Sequence, residues 1–305
     1  MSIKNLVLAG AQSKAFAYIG VYKALIELDL VRGIRNVCGV SSGSMIALLI
    51  CIELDYITCE NIIYKVINYE NLKTFQSGEI FNILETYGLE TGENIKKILY
   101  FLLEKQTGKR HCTFRELIEI FPSKNLIILG ANITTGESEY FSADTTPDME
   151  ICDAIRISIS VPFVFTSVKY NNLIYGDGGL INNFPVDYFN DELEHTIGCC
   201  VSFLGDYTDI TSFSTYISRV FSMMCNYGQE IIYERYRDNI IDIVIPYVSI
   251  IDSMDIDKHK TTFINSGYNQ FIKKIKKLPI YKTISHKFII KDVLDELIEK
   301  IILKG

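Results

Sequence analysis

The stretch Asn36-Val37-Cys38-Gly39-Val40-Ser41-Ser42-Gly43-Ser44-Met45-Ile46-Ala47-Leu48-Leu49 organises this chain, because it carries Gly39-x-Ser41-x-Gly43 between two apolar runs. The first run, 36–40, has the length and Val/Cys content of a buried strand. The second, 44–54, reads as a buried helix, since Met, Ala and Leu favour that state. A strand that turns directly into a helix across a serine is a nucleophile elbow, where a strained backbone lifts the hydroxyl clear of the sheet edge. Glycine two residues to either side fits, because a Cβ there would jam strand against helix. The helix start points its partial positive charge at any oxyanion forming beside Ser41. On the motif alone, a glycine-bounded turn with an ordinary N-cap serine competes with this reading.

Upstream, Asn5-Leu6-Val7-Leu8-Ala9-Gly10 is a short apolar strand ending on glycine. A polar loop follows, then a helical pattern over 15–30 in which Phe16, Ile19, Ala24 and Leu25 suit packing on a sheet. Strand, loop, helix, strand, elbow and helix in succession predict an α/β fold with a parallel sheet core. Residues 57–121 read as mostly helical, with helical spacing over 93–103 and a capping-box start at Thr113-Phe114-Arg115-Glu116. A third apolar strand covers 125–131, Thr135-Gly136-Glu137 is turn chemistry, and Tyr140-Phe141 begins a hairpin partner. A helix over 151–160 stops at Val161-Pro162, and strands over 164–168 and 173–175 flank Tyr170-Asn171-Asn172. Further strands are predicted at 196–203 and 240–247, and helices at 213–237, 262–277 and 291–303. No repeat or linker breaks the chain. A single domain over 1–305 is expected, its motif-bearing core about 5–205, with helices and a strand of 206–305 packed on that core.

Length and composition narrow the function. The 305 residues, 48% hydrophobic and 22% charged, suffice for a sizeable globular core. A net charge of −7 gives a nucleic-acid partner no electrostatic support. Met1-Ser2-Ile3-Lys4 leads into a short strand with no signal-peptide pattern, and the longest apolar run, 45–52, is too short to span a bilayer. A cytoplasmic protein with at most peripheral membrane contact is expected. The eight cysteines form no CxxC pair and lie largely in apolar runs, as buried free thiols of a reducing compartment would. With four scattered histidines they make no metal-ligand cluster.

A serine nucleophile needs a base and an oxyanion hole. Ser41 closes only the second strand, too early for the α/β-hydrolase fold, whose chain order is Ser, Asp, His. None of His111, His195, His259 and His286 sits in a glycine-rich context that marks a base. Asp177, in Tyr175-Gly176-Asp177-Gly178-Gly179, is better placed: it follows an apolar strand and its carboxylate can reach out at the strand end. A solvent-exposed Asp-Gly hairpin turn is an equal alternative on that motif alone.

Taken together, these blocks resemble the patatin-like phospholipases. That family's pattern is a glycine-rich loop after the first strand, then Gly-x-Ser-x-Gly, then Asp-Gly-Gly or Asp-Gly-Ala. Here the order is kept, and Tyr175-Gly176-Asp177-Gly178-Gly179-Leu180-Ile181-Asn182-Asn183-Phe184-Pro185 includes the Asn and Pro that follow the family's aspartate. Ile155-Arg156-Ile157-Ser158-Ile159-Ser160-Val161-Pro162 is similar to its segment of small residues before a proline. The resemblance covers about residues 5–205 and implies a three-layer sandwich with a mostly parallel central sheet and helices on both faces. It implies Ser41 as nucleophile with Asp177 as its only partner, a dyad without histidine, and neither metal nor cofactor. An aspartate of ordinary pKa, about 3.9, is a weak base, so burial must raise it.

By the same resemblance the amides of Gly10, Ala11 and Gln12 form the oxyanion hole, and Lys14 is the loop's cation. The family loop Gly-Gly-Gly-x-Arg/Lys-Gly is altered here to Gly10-Ala11-Gln12-Ser13-Lys14-Ala15, although Gly10, Lys14 and the downstream Gly20 remain. The expected activity is hydrolysis of lipid esters, phospholipase A or lysophospholipase in type, with membrane lipids or lysolipids as substrates. The altered loop keeps open a weak or inactive relative that binds lipid or a partner protein. A histidine-based esterase of another α/β fold is disfavoured by the early elbow. The basic stretch Phe271-Ile272-Lys273-Lys274-Ile275-Lys276-Lys277-Leu278 reads first as a solvated helix face with its other side in the core, and contact of that helix with an anionic membrane surface is the alternative.

Overall fold

The computed structural model describes residues 2–65, 83–204, 210–211, 213–246 and 259–281. Their strands are β1 (Asn5–Leu8), β2 (Asn36–Val40), β3 (Gly88–Glu90), β4 (Asn125–Asn132), β5 (Glu137–Phe141), β6 (Phe163–Phe165), β7 (Val168–Tyr170), β8 (Leu173–Asp177), β9 (Thr196–Leu204) and β10 (Ile240–Pro246). Their helices are α1 (Ala17–Glu27), α2 (Ser42–Cys51), α3 (Tyr56–Lys65), α4 (Ile83–Thr86), α5 (Glu93–Thr107), α6 (Phe114–Ile120), α7 (Ile151–Ser158), α8 (Phe213–Tyr236) and α9 (Lys260–Ile275). The predicted helix at 291–303 lies outside the described residues.

A polar ladder fixes the register of the sheet. Asn5, Asn36 and Asn125 open β1, β2 and β4 as cross-strand partners. Asn36 Nδ2 donates to Asn5 Oδ1 at 2.8 Å, Asn125 Nδ2 to Asn36 Oδ1 at 3.3 Å, and Asn5 Nδ2 to Thr196 Oγ1 at 3.1 Å. A one-residue slip would turn these amides into apolar layers, so the ladder and the hydrophobic pattern select the same pairing. The sheet runs β10-β9-β1-β2-β4-β8-β7, with β5 also on β4. Pairing is parallel from β10 through β4, and β5, β7 and β8 are antiparallel. This is the mostly parallel sheet that the sequence pattern predicts.

Alternation along β1 divides the core. Leu6 and Leu8 join the larger cluster, with residues of α1, α2, α7 and α9. Val7 and Ala9 face a smaller one, covered by Val186, Phe189 and the C-terminal end of α8. Gly20 of α1 and Gly267 of α9 let these two helices cross backbone to backbone: an added Cβ would come within 1.9 Å of the Ile264 and Ala17 carbonyl oxygens, respectively. Gly20 therefore serves helix packing, not the loop upstream of it.

Most predicted elements form, and the departures have local causes. The predicted helix at 15–30 divides into a 3-10 turn, Gln12–Phe16, and α1, which ends before Asp29 at φ 53°. The single strand expected at 164–168 becomes β6, paired with β3 in a separate sheet, and β7. Arg156 draws the chain away between them, donating to the Thr166 carbonyl and hydroxyl at 2.8 Å each. Asn171 and Asn172, both at positive φ, close the β7–β8 hairpin, a conformation that asparagine tolerates better than most residues. The Thr113–Glu116 capping box is present. In the basic stretch, Phe271, Ile275 and Leu278 are buried while Lys273, Lys276 and Lys277 are exposed. Its apolar side lies in the core and these lysines form a solvated face, the first of the two readings of that stretch.

Gly267→Ala is expected to lower stability by about 1–3 kcal/mol, because overpacking against backbone cannot relax by rotamer change. Gly228→Ala, on α8 with nothing within 4 Å of the added Cβ, serves as the control and should stabilise slightly. Urea unfolding of both variants checks the pair.

Candidate active site

β2 delivers Ser41 into a turn at φ 51° and ψ −130°, a left-handed backbone that costs a non-glycine residue roughly 1–3 kcal/mol. The flanking glycines make the turn sterically feasible. A Cβ on Gly39 would lie 2.5 Å from the Ser44 Cα, and one on Gly43 would lie 2.5 Å from the Leu8 carbonyl oxygen. Gly39 thus admits α2, and Gly43 lets α2 settle against β1.

The register brings the aspartate to the same level. Val40 pairs with Leu129, and Gly130, the next residue of β4, pairs with Asp177. Ser41 and Asp177 therefore lie on opposite sides of β4. Ser41 Oγ donates to Asp177 Oδ2 at 2.6 Å. Asp177 Oδ1 accepts the Gly179 N–H at 2.8 Å, and the Asp177 N–H donates to the Ser160 carbonyl at 2.9 Å. Asp177 is completely buried, so it is not the exposed hairpin turn that its motif also allowed. Burial pushes its carboxyl up to about 7, against the opposing pull of the Ser41 hydroxyl and the Gly179 amide.

Ser158 and Asn183 hold this geometry, and composition and spacing gave no role for either. Ser158 Oγ accepts the Ser41 N–H at 2.9 Å and donates to the Leu129 carbonyl at 2.6 Å, tying the elbow to β4 through the end of α7. Buried Arg156, two residues back on α7, bonds Ser160 Oγ at 2.6 Å and the Thr91 carbonyl at 2.8 Å, and desolvation lowers its pKa to about 10. Asn183 clasps the first loop in both directions. Its carbonyl accepts the Gly10 N–H at 3.1 Å, and its Nδ2 donates to the Gly10 carbonyl at 3.1 Å. A Cβ on Gly10 would sit 2.2 Å from Asn183 Oδ1. The signal available in sequence was the alternation of polar and apolar residues over Arg156-Ile157-Ser158-Ile159-Ser160, and the Asn182-Asn183 pair after the Asp-Gly-Gly block.

The first loop lies beside the elbow, but its amides differ. The Gly10 N–H is held by Asn183, and the Ala11 N–H donates to Ser42 Oγ at 3.1 Å. The Gln12 N–H opens the 3-10 turn and has no hydrogen-bond partner among the described residues. Ala11 has φ −137°, which suits any residue, whereas Gln12 has φ 53°. Only Gln12 occupies backbone space that favours glycine. Burial lowers the pKa of Lys14, opposed in part by Cys200, Asp242 and Cys225. Cys225 also approaches the aspartate turn, its sulfur 3.2 Å from where a Cβ on Gly179 would stand.

The histidines are engaged elsewhere. His111 bonds Glu150, His195 bonds the Ser2 carbonyl, His259 stacks on Phe263, and His286 lies outside the described residues. All eight cysteines are free and buried. Among the described residues no group of three or more His, Cys, Asp or Glu converges on a metal-sized site, and no helix is long and apolar enough to cross a membrane.

The Patatin-like phospholipase family model matches residues 6–190, more than half of the chain. The chain belongs to the patatin-like phospholipase family. Uncharacterized protein R571 of Acanthamoeba polyphaga mimivirus is 30% identical over 197 residues, 64% of each chain. Probable lipid hydrolase 463L of Invertebrate iridescent virus 6 is 34% identical over 187 residues, 60% of this chain and 62% of the relative. The similarity thus spans under two thirds of either relative's length. Among solved structures, VipD from Legionella pneumophila shares the fold, with a TM-score of 0.59 at 17% identity, over 93% of this chain and 67% of VipD.

In this patatin-like chain the buried carboxylate has a thermodynamic signature. Its folded pKa, about 7, lies above the ordinary 3.8, so the folded state holds the proton more tightly than the unfolded one. Stability contributed by this group is fully present below about pH 4, declines as pH rises, and is lost above about pH 7. Asp177→Asn, which carries no charge to bury, should therefore stabilise the protein by on the order of 4 kcal/mol near pH 8 and hardly at all near pH 4. Thermal melts of both proteins across that range check the sign.

Proposed function

We propose that this protein is a lipid acyl hydrolase of phospholipase A or lysophospholipase type, acting through Ser41 and Asp177. The 2.6 Å contact between the strained serine hydroxyl and a fully buried carboxylate carries the reading. A carboxyl poised near 7 is a far better base than an ordinary aspartate, which answers the main objection to a dyad without histidine. Membership of a phospholipase family, and likeness to a relative named a probable lipid hydrolase, support a lipid ester as substrate.

In this reading Ser41 Oγ attacks the ester carbonyl carbon while its proton passes to ionised Asp177. Collapse of the tetrahedral intermediate expels the alcohol, which takes the proton from Asp177 and leaves the acyl group on Ser41. Asp177 then removes a proton from water, whose oxygen attacks the acyl-enzyme, and the fatty acid leaves as Ser41 is reprotonated. The oxyanion takes its hydrogen bonds from backbone amides at the elbow and the first loop. Of Gly10, Ala11 and Gln12, the Gln12 amide is the one left open, and Ala11 contributes by giving up Ser42 Oγ. Lys14, in the same turn, adds positive charge to that end of the site. The strained Gln12 favours slow turnover over loss of activity, and the substrate surface implies peripheral membrane contact in the cytoplasm.

Ser41→Ala and Asp177→Asn should each lower hydrolysis by several orders of magnitude, measured by mass-spectrometric survey of products from mixed lipids. Near-parent turnover by folded Asp177→Asn defeats the dyad. Because the base must be ionised, kcat/KM should fall about tenfold per pH unit below about 7 and level off above it. Gln12→Gly should raise kcat with little change in KM, while Ala11→Gly, at a backbone angle open to any residue, should change neither.

A further inference from the structure

α8 turns opposite faces to two different surroundings. Its inward face meets the site: Gln12 Nε2 donates to Ser222 Oγ at 3.2 Å, and Asn183 Nδ2 donates to Gln229 Oε1 at 3.0 Å. Phe221 and Cys225 on the same side are buried. The outward face carries Tyr216, Val220, Met223, Met224, Tyr227 and Ile231, spaced as a single stripe of a helix. All six are exposed, Met223 58%, Tyr227 79% and Ile231 61%. Ile181, two residues past the Gly179 that abuts Cys225, is exposed as well. Scattered exposed apolar residues are ordinary, but a stripe along four turns of one helix marks a docking surface.

We propose that this stripe of α8 docks the protein on a neutral or zwitterionic lipid surface, presenting that surface to Ser41. The inference rests on the lipid hydrolase reading. An acyl ester drawn from a lipid aggregate must enter at the part of the molecule that touches the aggregate, and α8 borders both the first loop and the aspartate turn. Charge decides the kind of surface. The charged residues of α8 are Arg219, Glu230, Glu234 and Arg235, which cancel, and none lies between Val220 and Gln229. The chain as a whole carries −7, so an anionic surface is repelled while the apolar stripe gains from any interface. Methionine adapts to irregular acyl packing, and tyrosine places its hydroxyl at the water boundary.

The test uses the full chain as parent, as Ser41→Ala, and as the double substitution Tyr227→Glu with Ile231→Glu. Co-sedimentation with phosphatidylcholine vesicles should be strong for parent and Ser41→Ala, and unchanged or weaker when anionic lipid is added. The double variant should lose binding at least tenfold while keeping the parent's melting temperature and its rate on a soluble short-chain ester. A milder pair, Met223→Gln with Tyr227→Gln, should show the same trend if the glutamates disturb the fold. A parent that ignores vesicles, or a folded variant that binds as well as the parent, overturns the proposal. So does a parent dimer, seen by analytical ultracentrifugation, that the substitutions dissolve, since the stripe then joins two copies. If Ser41→Ala binds vesicles normally but the parent cleaves no ester, docking stands and the hydrolase reading fails.

Discussion

A carboxylate without access to water is the constraint on which the rest of this structure depends. Asp177 has the Ser41 hydroxyl and the Gly179 amide as partners and is otherwise enclosed. Two hydrogen bonds do not replace full hydration, so its proton is held up to about pH 7. The surrounding core supplies the stability that tolerates this. The same desolvation that weakens the fold at neutral pH gives the oxygen its basicity, so any gain in one is a loss in the other.

The serine reaches that carboxylate because four segments are locked in register. The asparagine ladder aligns β1, β2 and β4 at one end, and the pairing of Gly130 with Asp177 aligns β8. Ser158 then ties the elbow amide to the β4 carbonyl, so α7 positions two site segments at once. Asn183 does the same for the first loop from the far side of the aspartate turn. The Ser158 and Asn183 links each bond a side chain to backbone, which fixes the path of the chain and leaves the Ser41 hydroxyl to Asp177.

The first loop shows how a family pattern can change at limited cost. Ala11 has a negative φ, and its amide is satisfied by Ser42, so the loss of glycine there carries no left-handed backbone penalty. Gln12 keeps the left-handed angle, at an expense on the order of 1 kcal/mol, and its side chain finds Ser222 of α8. The altered loop and the helix with the apolar stripe are therefore in direct contact.

The sequence by itself determined the parallel α/β core, the elbow at Ser41 and the block at Asp177. These follow from short-range patterns: an apolar run of strand length, a glycine-spaced turn and a helical run need only neighbours to be read. The burial of Asp177, the partners of Ser158 and Asn183, and the partners of the Gly10 and Ala11 amides were decided by tertiary structure, because each depends on segments far apart in the chain. So was the fate of the apolar side chains. Ile275 and Leu278 sit beside lysines yet lie in the core, whereas Met223 and Tyr227 sit in an uncharged segment yet face outward. Periodicity tells which residues share a helix face, and only the packing of that helix against the sheet decides which face is covered.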